Sequence, residues 1–482
     1  MASARDFIKS VGTVLPEIPK PERKPSLNER FVWTAIALVA YLVMATTPLY
    51  GFSGVGQNDQ LAFLRVVFAS TQGTLMELGI GPIVTSGLIL QLLVGSDIIK
   101  LDMSDSADRA IFGSATKFLT LIVIVGESLA YIYGGALGSL GQTQALVVFV
   151  QLFVASLLVL LLDELIQKGW GIGSGVSLFI LAGVCQTVLW YTFSPVPFQV
   201  STGVSAYFGF IPYTISAFFT NTLPTILVRD FKYPSLLTFS LTLVMLLVLV
   251  YIEGIRVELP ITSIKYRGFQ GVYPIKLLYV SNIPVILVSA LGANVTFFTR
   301  MLYNYYTINA PSWFHYIAQF NSNSTAGSYP IGPVDGGTPN LAYYITAPQS
   351  VSQTVGDPIH SVIYLLYLVG MAVLFARLWV EIGGLNPRAV AKNLMDADVQ
   401  VPGFRRTGLS IEQMLNRYIP TLTIIGGILI GLVAGVSDLF GVFGTGIGIL
   451  LMVDIILQYY QMLLKEQVEE VSPALAGLIG AG

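Results

Sequence analysis

The chain has 482 residues, 54% of them hydrophobic, only 11% charged, and a formal net charge of −2. A soluble domain carries about 25% charged residues, so this composition excludes an ordinary soluble enzyme and points to the membrane, and the near-neutral balance argues against a nucleic-acid partner recognised by bulk charge. One cysteine, Cys185, excludes an intrachain disulfide framework, and the two histidines, His315 and His360, lie too far apart in sequence for metal-ligand spacing.

Residues 1–30 are polar and proline-rich, without the short apolar core of a signal peptide, and read as a cytosolic N-terminal segment. Beyond them come ten apolar stretches long enough to test as spans, since about 20 residues cross the hydrocarbon core. They are 31–50, 76–95, 115–137, 143–166, 172–193, 235–253, 281–303, 358–381, 418–435 and 440–463. The second is short for a clean crossing and follows an amphipathic stretch, Asp59 to Ser70, that is too brief to cross alone. Residues 194–234 form a linker; their part 206–228 is apolar but carries Pro212 and Pro224, and reads as an outside interfacial or re-entrant segment.

Basic residues set the orientation. With the N-terminus inside, only Arg65, Arg229, Lys232 and Arg300 of the 25 Lys and Arg fall outside, and the long segment 304–357 has none. Both termini are therefore expected inside, with 466–482 as a cytosolic tail. Five spans on each side of 194–234 give halves of opposite topology, 31–193 and 235–465, which permits an inverted repeat with a passage between them. Asn323-Ser324-Thr325 is a glycosylation sequon in an outside segment.

Catalytic signatures are missing: there is no HExxH, GxSxG or Walker A with its lysine. Gly171-Ile172-Gly173-Ser174-Gly175 reads as a flexible turn opening the fifth span, and Gly441, Gly444, Gly446 and Gly448 as close helix packing through small residues. Intramembrane charge, the mark of pumps, is sparse. Glu127 sits near the middle of the third span and Asp454 within the tenth. Asp163, Glu164, Glu253 and Glu381 lie at inside ends within reach of water. Two inside loops carry basic tips, Lys265 and Arg267 between Pro260 and Pro274, and Arg405 with Arg406. Such tips suit a polyanion; on the bare sequence, ordinary positive-inside bias is the better account of them.

Several segments, taken in order along these spans, carry a family resemblance. They are Leu78-Gly79-Ile80-Gly81-Pro82-Ile83-Val84-Thr85, Gln91-Leu92-Leu93-Val94-Gly95-Ser96, Gly171 to Gly175, Tyr273-Pro274-Ile275-Lys276, Val280 to Leu287, Asp357-Pro358-Ile359-His360 and Asn416-Arg417-Tyr418-Ile419-Pro420. Over nearly its whole length the chain resembles the SecY family, the alpha subunit of the Sec protein translocon, in its archaeal and eukaryotic branch. The resemblance implies an all-α membrane fold of two inverted five-helix halves around an hourglass pore. It implies a constriction ring of Ile80, Val84, Val176, Ile180, Ile286 and Leu451, where apolar side chains gate by dewetting and deform around an extended chain. It further implies a plug over about 59–70, including Asp59, Leu61, Phe63, Leu64, Arg65, Val67, Phe68 and Ser70, with Arg65 facing a water-filled outer funnel.

By the same resemblance a lateral gate lies between the second and third spans and the seventh and eighth, with Thr85 and Asn294 as polar gate positions. Lys265, Arg267, Arg405 and Arg406 match ribosome-contacting positions. Expected partners are a SecE-like gamma subunit, a small beta subunit, the ribosome, nascent polypeptides with their signal sequences, and membrane lipid. No cofactor or metal is expected, and the energy must come from a partner or from translation. The membrane is the cell membrane of a prokaryote or the endoplasmic reticulum of a eukaryote. Segments 194–234 and 304–357 are long for this family. The main alternative is an inverted-repeat transporter of small solutes, which should show midplane charges or broken-helix substrate sites; a membrane-embedded insertase or enzyme without a through-pore is a second.

Overall fold

The computed structural model describes residues 17–23, 25–51, 65, 68–96, 98–99, 101, 106–133, 137, 140–199, 205–220, 222–227, 229, 233–263, 270–280, 283–305, 311–320, 330–348, 351–396, 399–400 and 408–471. Among them nine helices are long and apolar enough to cross a membrane. In chain order the helices are α1 (Leu27–Thr46), α2 (Gly81–Gly95), α3 (Ser106–Tyr133), α4 (Gln142–Leu165, continued by one π turn), α5 (Gly175–Phe193), α6 (Phe210–Phe219) and α7 (Leu236–Gly254). There follow α8 (Ile283–Tyr305), two short helices α9 (Leu341–Ile345) and α10 (Val351–Gly356), then α11 (Pro358–Ile382), α12 (Pro387–Asp396), α13 (Gly408–Leu439) and α14 (Gly446–Val471).

Membrane residence explains the side-chain distribution. Val150, Val154 and Leu158 present one exposed apolar stripe of α4, and Leu243, Leu247 and Tyr251 one of α7. In water such contiguous patches would be a liability; in lipid they are the solvated surface.

The helix α2 has 15 residues and so rises only about 22 Å, short of a ~30 Å hydrocarbon core. Residues 76–80, expected to open the second span, instead close a chain of tight turns that runs over 71–80, because Gly79 is left-handed (φ +56°) and Pro82 starts the helix. Non-helical backbone at membrane depth is tolerated only when protein covers it and pairs its polar groups. Both conditions hold: Met76, Glu77, Leu78 and Ile80 are buried, and the bonds Thr71 N to Met76 O, Glu77 N to Thr74 O and Ile80 N to Phe68 O are made.

The membrane part is helical, as the fold class requires, but its connections are partly β. Strands β1 (Pro197–Gln199) and β2 (Ser205–Tyr207) pair antiparallel within the 194–234 linker, ahead of α6. Between α7 and α8, β3 (Arg256–Ser263) and β4 (Gln270–Lys276) form a hairpin, and β5 (Val399–Gln400) adds to its edge in the order β4-β3-β5. Leu259 and Ile275 from the sheet pack with Val380, Leu394, Met414 and Leu415, so this cap shares a core with α11, α12 and the first turns of α13. The ninth span is longer than its apolar run: α13 is a 32-residue helix with Pro420 inside.

Glycines allow α11 and α13 to lie against each other. A Cβ on Gly427 would come within 3.0 Å of Val373 Cα, one on Gly431 within 2.7 Å of Val369 Cα, and one on Gly435 within 2.5 Å of a Leu365 methyl. The seam follows the small-residue rule of membrane helices. The expected glycine packing at 441–448 is realised in part. Gly446 sits where a Cβ would meet Ala434 O at 2.2 Å, whereas Gly441 and Gly444 are left-handed turn residues at the α13–α14 corner.

On the hairpin side of the bundle the N-terminal stretch is tied down by ionic and aromatic contacts. Lys168 pairs with both Glu17 and Glu164, and Glu164 also accepts from Lys117 at 2.5 Å. The lysine partner holds the Glu17 carboxyl below its ordinary range. Trp170 donates to Pro19 O and packs edge-on against Trp33. The glycine turn at 171–175 is pinned, with Arg30 donating to Gly171 O, Ile172 N to Thr34 Oγ1, and Val176 N to Asp163 Oδ1. Asp163, Glu164 and Glu253 were expected within reach of water; all three are buried, with Asp163 accepting from Gln167 and Val176 N, Glu164 paired with Lys117 and Lys168, and Glu253 near Asp454 and Lys276. Glu381 is exposed, as expected.

Candidate constriction and lateral gate

The two halves meet where α2 and α3 face α8. In an apolar seam a polar pair needs its partners close by, and they are present. Asn294 Nδ2 of α8 donates to Thr85 Oγ1 of α2 at 3.1 Å and to Ala290 O of its own helix at 2.9 Å. Glu127 of α3 lies against the start of α2, with its Oε2 3.4 Å from where a Cβ on Gly81 would stand. The Thr85 hydroxyl therefore links α2 and α8, with the Glu127 carboxyl buried nearby. Beside this pair Tyr131 of α3 stacks on Phe297 of α8 with centroids 4.8 Å apart. At the other end of α2, Gly95 lies against Ile382 and Leu378 of α11. Glu127 is the residue that the sequence did not assign to the gate: its depth was legible, its place against the start of α2 was not.

The six residues implied as a ring belong to one continuous apolar cluster spanning both halves. Ile80, Ile180 and Leu451 are fully buried, and Val84, Val176 and Ile286 are half-buried. Ile80 sits at the N-cap of α2 rather than inside it, since the helix opens only at Gly81.

Against this cluster lies the segment preceding α2. Of the plug residues, Arg65, Phe68 and Ser70 are described; Asp59, Leu61, Phe63, Leu64 and Val67 lie outside the described residues. Phe68 packs against Gly81, and its carbonyl accepts from Ile80 N at 2.8 Å. Tyr41 of α1 donates to Ala69 O at 3.0 Å, and Ala69 lies over Gly183 of α5. Arg65 does not face water as expected. Its Nη2 is 2.8 Å from Glu77 Oε1, with the side chains 12% and 1% exposed. Glu77 Oε2 accepts from Gly73 N at 2.5 Å. The chain folds back at Gly73 and Gly79, which brings this acid onto Arg65.

Lys265, Arg267, Arg405, Arg406 and Asn323 lie outside the described residues. The strands flanking the four basic residues are described: β5 pairs antiparallel with β3 through Thr262↔Gln400 and Ser263↔Val399, so both basic segments adjoin strands of one small sheet.

With this geometry in view, the similarities to known proteins are informative. Residues 74–460 match the SecY family model, and residues 39–73 match the model of the plug domain of Sec61p. The protein transport protein Sec61 subunit alpha of Dictyostelium discoideum is 39% identical over 481 residues, 98% of each chain. Among solved structures, one described as the structure of a protein conducting channel superposes with a TM-score of 0.81 at 33% identity, covering 97% of this chain and 98% of that one. Sec61 in the canine ribosome-channel complex from the endoplasmic reticulum superposes with a TM-score of 0.78, again at 33% identity and over 97% and 98% of the two chains. From residue 39 to residue 460 the matches are continuous, and the chain belongs to the SecY family.

Proposed function

We propose that this chain is the pore-forming subunit of a protein-conducting channel, which passes unfolded polypeptide across a membrane and releases apolar segments sideways into lipid. The observation that carries the reading is the Asn294–Thr85 hydrogen bond, a polar latch in an otherwise apolar seam between the halves, directly beside the cluster holding Ile80, Ile180 and Leu451. Polar contacts between membrane helices contribute roughly 0.6–2 kcal/mol, strong enough to favour a closed seam and weak enough to be displaced by an entering apolar helix.

In this reading residues 31–193 and 235–465 are the inverted halves, 194–234 is their outside hinge, and 1–30 and 466–482 face the cytosol. Ile80, Val84, Val176, Ile180, Ile286 and Leu451 form the waist, and Arg65 to Ser70 belong to the plug that covers it. The basic loops at 265–267 and 405–406 receive the ribosome, a gamma and a beta subunit complete the complex, and a signal sequence opens the seam. The membrane is the cell membrane or the endoplasmic reticulum according to the host. Membership of this family does not favour the small-solute transporter.

Crosslinking tests the assignment. An arrested nascent chain is presented to full-length channels carrying single cysteines at Ile80, Val84, Ile180 or Leu451, in a Cys185→Ala background. Adducts at all four positions are expected. A chain that translocates and reaches none of them refutes the ring.

A further inference from the structure

We propose that Arg300, backed by Phe320, anchors a binding site for a lipid phosphate where the Tyr305 end of α8 meets segment 311–320. The guanidinium carbon lies 4.7 Å from the Phe320 ring centroid. Phe320 is fully buried, with Tyr303 edge-on to it at 5.5 Å and a bridge to Pro330 holding the backbone. Arg300 Nε and Nη1 are both buried and have no hydrogen-bond partner among the described residues, and no ion pair is made by this side chain there.

Arginine stays protonated and carries five N–H donors in a planar fork. Holding such a group partly out of water without an acceptor is costly, and aromatic contact offsets only part of the cost. Asp357, a carboxylate on the same side of the bundle, is already taken by Tyr343 Oη and His360 N. The unfilled donors therefore call for an external anion with two oxygens at fork spacing, for which phosphate is suited.

Two observations select a lipid as its source. Arg300 lies five residues before the end of α8, about 7.5 Å of helix, a depth from which a guanidinium reaches the headgroup layer. Trp313 and Tyr316, on the segment that supplies Phe320, are exposed, as aromatic residues at the membrane–water interface are. The site does not depend on the channel function proposed above.

The test is native mass spectrometry of the full chain in detergent, titrated with dioleoyl phosphatidylglycerol or with phosphate-free dioleoylglycerol. The wild type is expected to hold one phosphatidylglycerol about tenfold more tightly than Arg300→Gln, with Arg300→Lys between them and no difference for dioleoylglycerol. Inorganic phosphate should neither bind detectably nor displace the lipid. Equal retention by wild type and Arg300→Gln overturns the proposal. Arg300-dependent binding of inorganic phosphate alone overturns the lipid as source. Should Arg300→Gln not fold, thermal unfolding of the wild type decides: a rise in Tm with phosphatidylglycerol but not with dioleoylglycerol supports the site, and no rise refutes it.

Discussion

Replacing Arg65 by Gln tests what holds the segment before α2 in its seat. The substitution leaves Glu77 buried and negatively charged without its guanidinium partner, 2.8 Å away in the wild type. Removing one member of a buried ion pair costs about 3–5 kcal/mol. Arg65 retains some exposure and Glu77 keeps the Gly73 N–H, which places the loss at the lower end, about 3 kcal/mol. Since each 1.4 kcal/mol is tenfold, the ratio of displaced to seated segment should rise about a hundredfold. Iodide efflux from proteoliposomes holding the purified channel reads this as leak. The exchange Arg65→Glu with Glu77→Arg should recover most of the seal, short of full recovery because the Gly73 N–H then loses its carboxylate. A leak within about twofold of wild type for Arg65→Gln, in protein that remains monodisperse, would show that the ion pair does not hold the seat.

Other perturbations address the remaining parts of the molecule. A double-mutant cycle of Thr85→Val and Asn294→Ala, read by thermal unfolding in detergent, should give a coupling of about 1 kcal/mol; zero coupling would remove the pair from the latch. Glu substitutions at Lys265, Arg267, Arg405 and Arg406 should weaken ribosome binding and flatten its salt dependence by about one unit of slope for each phosphate that is no longer neutralised, measured by cosedimentation across a salt series. Gly431→Ala brings a methyl to within 2.7 Å of Val369 Cα and should cost about 1–3 kcal/mol, as overpacking does, seen as a lower unfolding temperature; an unchanged Tm would mean that α11 and α13 are not tightly joined there.

The helical frame was readable where local signals and hydropathy agree. The eighth span shows both: Asp357 caps α11, Pro358 opens it and Gly383 closes it, so its apolar run of 358–381 and the helix nearly coincide. The start of α13 was not readable as membrane, because Gly408 to Arg417 is amphipathic and buries Ile411, Met414 and Leu415 beneath the sheet rather than in lipid. Period-two alternation at Val257, Leu259 and Ile261 signalled a strand that the membrane frame and Pro260 obscured. The site was legible by motif, not by physics. Single aliphatic residues such as Ile180 carry no mark of a waist, and the pairing of Arg65 with Glu77 depends on how the chain folds back, which hydropathy does not encode.

The glycine seam between α11 and α13 has a mechanical consequence. A 32-residue helix is about 48 Å long, more than a bilayer core requires, and its first turns are bonded into the cap that carries both basic loops. Because its middle is keyed into α11 with no slack for sliding, the two helices move as one from Gly427 to Gly435, and Pro420, between the cap and that seam, is the place where α13 can bend. A load applied to the cap would reach the joined pair through Pro420, and α11, which touches α2 at Gly95, would carry the displacement on to the seam.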